Sequence, residues 1–194
     1  MFVLTIDQQR SRTSDDAVPT LLDALNTRYA DKLVLPFERT AGDEVQSLLD
    51  DAATVVDLVV GLLRVPQWSI GIGVGEAETP LPDSVRAARG TAFLFARAAV
   101  DRAKNAPANI AVEGAGDGVI HAEAAVWLLG ALLVGRTPAG WEAVDARSVA
   151  KTQAEAATRL GISPQAINRR LQVAGWREEQ RGRQLVAHLL EGAS

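Results

Sequence analysis

The chain has 194 residues, a formal net charge of −4, no cysteine, and two histidines, His121 and His188. That length holds one ordinary domain plus a small second one; the missing thiols exclude disulfides and thiolate metal sites, and scarce imidazole argues against a histidine metal site. The acid excess argues against non-specific nucleic-acid binding by the whole molecule, yet the charge is uneven. Residues 1–63 are acid-rich, whereas Arg159, Arg169, Arg170, Arg177, Arg181 and Arg183 cluster in the last forty.

Taken in chain order, residues 2–6 are a continuous apolar run of β-formers and predict a buried strand. Asp7 ends it, and the polar stretch 8–16, with Arg10 and Arg12, predicts a loop. Val18, Leu21, Leu22 and Leu25 recur at helical spacing, predicting a helix over 17–29. A strand over 33–38, a turn at Gly42-Asp43-Glu44 and a returning strand over 45–49 make a hairpin. A helix is expected over 54–63, ending before Pro66. Residues 68–74 alternate Ile70, Ile72 and Val74 with glycine, which predicts a strand that another backbone can approach closely. A loop over 75–82, a mostly helical 84–104 and a last strand over 110–113 follow. Beyond a glycine-rich turn at 114–119, residues 121–134 form a helix apolar nearly all round, expected to be buried or in an interface. No run is long and apolar enough to cross a membrane, and the first residues lack the basic flank of a signal peptide, so a cytoplasmic protein is expected.

The order β-α-β-β-α-β-α-β predicts an α/β fold, an α+β sandwich with helices on one face of a mostly antiparallel sheet. Residues 135–140 mark the boundary between a body, 1–134, and a helical tail, 135–194. Trp127, Trp141 and Trp176 are expected to anchor one to the other.

The tail carries the strongest functional signal. Ala156, Ala157 and Leu160 share one helix face, and Gly161 stops that helix where a left-handed backbone is easiest. Ser163 suits an N-cap and Pro164 the first helical position. Ile167, Leu171 and Ala174 then face inward, leaving Gln165, Asn168, Arg169 and Arg170 outside near the helix start. Asn and Gln pair bidentately with adenine, and Arg with guanine. The pattern resembles the helix-turn-helix tails of bacterial transcription regulators, which implies double-stranded DNA as partner, a homodimer across two half-sites, and Ser163, Gln165, Asn168, Arg169 and Arg170 as contact residues. An ordinary helical hairpin in an interaction domain uses the same turn chemistry, and that reading stays open.

In the body, Asp7, Gly42-Asp43-Glu44, the Ile70–Glu76 run Ile-Gly-Ile-Gly-Val-Gly-Glu and Gly90–Arg97 together resemble the SatD family over roughly residues 2–115. More distantly, the ladder is similar to class III nucleotidyl cyclases and GGDEF-type palm domains, a ferredoxin-like arrangement. In those enzymes one acid after the first strand and one in the hairpin hold Mg²⁺ against a triphosphate; here these would be Asp7 and Asp43. The resemblance also implies Glu44 and Arg97 as candidate ligand-binding residues. The chain departs from the cyclase pattern where Phe93 stands in place of an asparagine four residues before Arg97, and where residues 7–12 replace a compact glycine turn. Removing one such donor costs roughly 10²–10³ in rate, so a degenerate, non-catalytic body with no required cofactor is expected.

The combined expectation is a sequence-specific transcription regulator whose body dimerises, senses a small ligand such as a nucleotide, or both. The competing class is a Mg²⁺-dependent nucleotide binder, or a weak nucleotidyl-transfer enzyme, whose tail only mediates contacts. Gly71, Gly73 and Gly75 sit within a strand rather than opening a helix and are weak as a phosphate loop.

Overall fold

The computed structural model describes residues 1–11 and 13–194; Arg12, expected in the first loop, lies outside them. Five strands, β1 (Phe2–Gln8), β2 (Leu35–Arg39), β3 (Glu44–Leu49), β4 (Trp68–Val74) and β5 (Ile110–Gly114), form one sheet in the order β2-β3-β1-β4-β5. β1 sits at the centre, antiparallel to both β3 and β4, and β2 is antiparallel to β3. β5 runs parallel to β4, so the sheet is mixed. A parallel pairing needs a long crossover, and α3 (Thr91–Ala103) supplies it.

The helices lie on both faces rather than on one. Phe2, Leu4 and Ile6 face a large core built with α1 (Val18–Tyr29), α2 (Ala52–Leu62) and α4 (Gly118–Val134). Val3 points the other way, into a smaller cluster with Ala92 and Ala96 of α3. The continuous apolar run of β1 has this cause: a strand covered on both sides needs no polar alternation. A 3₁₀ turn, Val85–Ala87, replaces the front of the long helix expected over 84–104, and α3 starts only at Thr91.

α3 meets β4 through small residues. A Cβ placed on Gly73 would land on Ala92 O and Ala96 N, and one on Gly71 would stand 2.7 Å from Ala96 O. The glycine strand therefore receives the backbone of α3, whose inner face is Ala92, Ala96, Ala99, Val100 and Ala103.

α4 is half covered: Ala122, Val126, Leu129 and Leu133 are buried, while Ile120 and Leu128 are exposed. No single helix among the described residues is long and apolar enough to cross a membrane. The tail comprises α5 (Pro138–Val149), α6 (Gln153–Arg159), α7 (Pro164–Val173) and α8 (Trp176–Gly192). α5, α6 and α7 enclose their own core of Ala143, Ala146, Ala156, Ala157, Ile167 and Leu171. α8 runs back onto the body, where Val186 and Leu190 join the main core and Ser194 Oγ accepts from the amino terminus of Met1 at 3.0 Å. The division expected at 134/135 is thus one of sequence composition rather than of packing, because the last helix belongs to both halves.

Between the halves, the guanidiniums of Arg64 and Arg136 both lie over the Trp141 ring, each 4.3 Å from its centroid. Trp176 borders the tail core, whereas Trp127 stays within the body, donating to Ile110 O at 2.8 Å.

Candidate nucleic-acid interface

The α6–turn–α7 segment is set by local chemistry. Thr152 Oγ1 accepts from Glu155 N at 3.1 Å, and the Glu155 carboxylate accepts from Lys151 N at 2.9 Å, so the start of α6 is capped from both directions. At its end, Ile162 N donates to Ala157 O and Gly161 N to Thr158 O, both at 3.1 Å, with Gly161 at φ +63°. This six-to-one and five-to-two pair is the Schellman closure that glycine favours. Ser163 Oγ then accepts from Ala166 N at 3.1 Å, starting α7 one residue before Pro164.

That geometry fixes the rotation of α7. Ile167 and Leu171 are buried, and Leu160 and Ile162 pack against the same cluster. Gln165, Asn168 and Arg169 are consequently exposed along the outer face. Arg170 is turned partly aside, with Nη1 3.5 Å from Glu142 of α5. Ser163 lies exposed at the start of the helix, with its hydroxyl engaged as the cap. Asn168 Oδ1 accepts from Gln153 Nε2 at 3.2 Å, which ties the middle of α7 to the start of α6.

The same face holds residues that sequence reasoning did not single out as contacts. Gln153, Asn168, Gln172, Arg147 and Arg177 line one cleft of about 450 Å³. Gln172 was accessible from spacing, one helical turn after Asn168; Arg147 and Arg177 come from other helices, and only the fold brings them here. The rest of the basic cluster is divided. Arg159 pairs with Glu155 at 3.2 Å, and Arg183 with Glu179 and with Asp57 of the body. Arg183 therefore contributes to the joint and not to this face.

The second candidate site lies at the top of β1. Asp7 and Glu44 are register partners, and α3 brings Arg97 and Lys104 over them. Arg97 Nη1 is bonded to Glu44, whose other oxygen accepts from Thr40 Oγ1 at 2.8 Å. Lys104 Nζ stands 3.4 Å from Asp7 Oδ2. Lys104 was missed, although it follows Arg97 by two helical turns on the same face. Burial pushes the Asp7 carboxyl above its ordinary range, and the nearby charge of Asp43 adds to this against Lys104 and Arg97.

Asp7, Asp43, Glu44 and Arg97 are thus brought to one edge. As folded, the donor set does not suit Mg²⁺: Asp7 faces an ammonium and Glu44 a guanidinium, so the carboxylates are already answered by protein cations. Among the described residues, no three His, Asp or Glu side chains converge as a metal site.

Ionised Asp7 is a cost to this fold. Its carboxyl binds a proton more tightly folded than unfolded, so its stabilising contribution is present below the ordinary pKa of 3.8 and lost as pH rises through the raised folded value. Asp7→Asn should therefore melt higher than the parent at pH 7, with the advantage shrinking as pH falls through the carboxylate range. A series of thermal melts from pH 3 to 7 checks this.

No family model, curated protein or solved structure matches the chain.

Proposed function

We propose that the chain is a sequence-specific DNA-binding transcription regulator, with α6 and α7 as a helix-turn-helix and α7 as its recognition helix. The observation that carries this reading is the outward row Gln165, Asn168 and Arg169, held in register by the buried Ile167 and Leu171. A helix seated on its apolar side, capped at its start and presenting amide and guanidinium groups outward has the chemistry of major-groove reading. Gln172, Arg147 and Arg177 extend the contact surface toward the phosphate backbone. The α5–α7 unit is the reading head. The body, SatD-like and a degenerate relative of the cyclase fold, dimerises, senses a small ligand, or both. A homodimer pairs two heads with two half-sites, and the uncovered Ile120 and Leu128 of α4 are apolar surface a second copy would cover. Such a protein works in the cytoplasm.

The variant Arg169→Ala/Arg170→Ala tests the assignment. Binding to a duplex should weaken, and the slope of log K against log salt should flatten by about two ions at most. The change should fall nearer one than two, because Arg170 is already partly held by Glu142. An unchanged slope removes both arginines from the interface.

One observation favours a second reading, the convergence of Asp7, Asp43, Glu44 and Arg97 on one edge. In that reading the body binds a nucleotide with Mg²⁺, which must displace Lys104 and Arg97 from Asp7 and Glu44, and the tail only mediates contacts. Nucleotide binding that requires Mg²⁺ and disappears in Asp43→Asn would favour it.

A further inference from the structure

A second cleft of about 590 Å³, sharing Arg147 and Trp176 with the first, lies at the joint between body and tail, walled by α1 and α2 on one side and α5 and α8 on the other. Four guanidiniums line it: Arg28, Arg64, Arg147 and Arg183. Directly behind, Arg136 is fully buried 2.7 Å from Glu179. The carboxylates answering these charges are Asp57, Asp145 and Glu179. Four lining guanidiniums against three lining carboxylates leave the cleft one positive charge in excess, and buried Arg136 adds a second from behind.

The guanidiniums are already positioned. Arg64 makes a bidentate pair with Asp145, at 3.0 and 2.6 Å. Arg183 reaches Asp57 at 3.0 Å and Glu179 at 2.8 Å, Arg28 reaches Asp57 at 3.1 Å, and Arg147 donates to Ala150 O at 2.7 Å. Planar donor forks held at fixed angles match phosphate oxygens better than mobile ammonium groups do. Ser148 and Gln180 add neutral polar groups to the lining, and Trp176 an aromatic surface. The volume is that of a small-ligand site, and junctions between structural units are where such sites concentrate.

We propose that this cleft binds a small, multiply charged anion bearing phosphate groups. Two excess charges call for at least a dianion, since a monoanion would leave the joint still positive. Burial pushes the Asp57 carboxyl up, but hydrogen bonds from Tyr29 and Arg183 outweigh it and hold the group below its ordinary range. An incoming anion must therefore compete with an ionised Asp57 for Arg28 and Arg183.

This deepens the sensing half of the proposed function and rests on it only for its regulatory meaning. Arg64–Asp145 joins the turn that follows α2 of the body to α5 of the reading head. A ligand that draws Arg64 away loosens that tie, and by linkage anion and DNA would then alter each other's affinity reciprocally.

The test is calorimetric titration of the full chain with inorganic pyrophosphate, at low ionic strength and without DNA or Mg²⁺. One saturable site per chain is expected. Arg28→Gln and Arg64→Gln should each raise the dissociation constant about tenfold, the size of one charge-assisted contact. Arg28 is 65% exposed and Arg64 37%, so both variants should fold. Arg169→Ala/Arg170→Ala should leave the titration unchanged. No saturable binding at millimolar pyrophosphate, binding indifferent to Arg28 and Arg64, or binding lost with Arg169 and Arg170 would each overturn the assignment. Because no DNA is present, failure of the DNA-reading proposal leaves this result standing.

Discussion

Replacing Gly73 with alanine should cost on the order of 3 kcal/mol or more, at the upper end of overpacking substitutions. The added methyl falls on the carbonyl of Ala92 and the amide of Ala96, backbone atoms that no rotamer change can move aside. α3 would have to lift from β4. Lifting it would also draw Arg97 from Glu44 and Lys104 from Asp7, so the acidic edge would loosen with the packing. The urea midpoint measures the loss, with Gly61→Ala as the contrast. Nothing lies within 4 Å of a Cβ at Gly61, which stands inside α2. There alanine should stabilise by up to about 1 kcal/mol through helix propensity alone. Equal midpoints for the two variants would mean that α3 does not rest on the strand backbone.

Glu179→Ala should be comparably severe, about 3–5 kcal/mol, because it strands a buried charge. Arg136 and Glu179 have fully buried side chains with Nη1 and Oε2 2.7 Å apart. Their contact is charge to charge, off the line of a hydrogen bond. Without the carboxylate, Arg136 keeps, among the described residues, Ala174 O at 2.9 and 2.6 Å and the Trp141 ring. The loss is one of pairing rather than of volume, so Arg136→Met with Glu179→Leu should recover most or all of it. Chemical denaturation of the single and double variants separates the two causes. A neutral Glu179→Ala would mean that water reaches the guanidinium.

What the sequence disclosed follows from how locally each feature is determined. The α6 closure at Gly161, the Ser163 cap and the inward Ile167 and Leu171 depend on residues within two turns of one another, and they form as expected. The Trp68–Val74 strand was legible for a similar reason: glycine at every second position is hard to explain without a close neighbour. That the neighbour is α3 was not legible, because its alanines read equally well as ordinary helix propensity. The helices on both faces were implicit in the unbroken apolar run of β1 and were obscured by an element order that also fits a one-faced sandwich. The joint was hidden altogether. Asp57, Arg136 and the Glu179–Arg183 pair of α8 are far apart in the chain, and a charged residue in a sequence ordinarily signals solvent. The Asp7, Asp43, Glu44 and Arg97 edge was grouped as a candidate site from resemblance. Its neutralising Lys104 was not, because only the register of α3 over β1 reveals it.

The most direct measurement is fluorescence anisotropy of the full chain on duplex DNA from upstream of its own gene, at physiological salt with excess unrelated duplex. Tight binding that survives the competitor is expected, since amide and guanidinium reading of base edges discriminates by about 10³ or more over phosphate contacts alone. Binding that disappears under competitor, or never occurs, would contradict it and leave α6 and α7 as a contact module on a ligand-binding body.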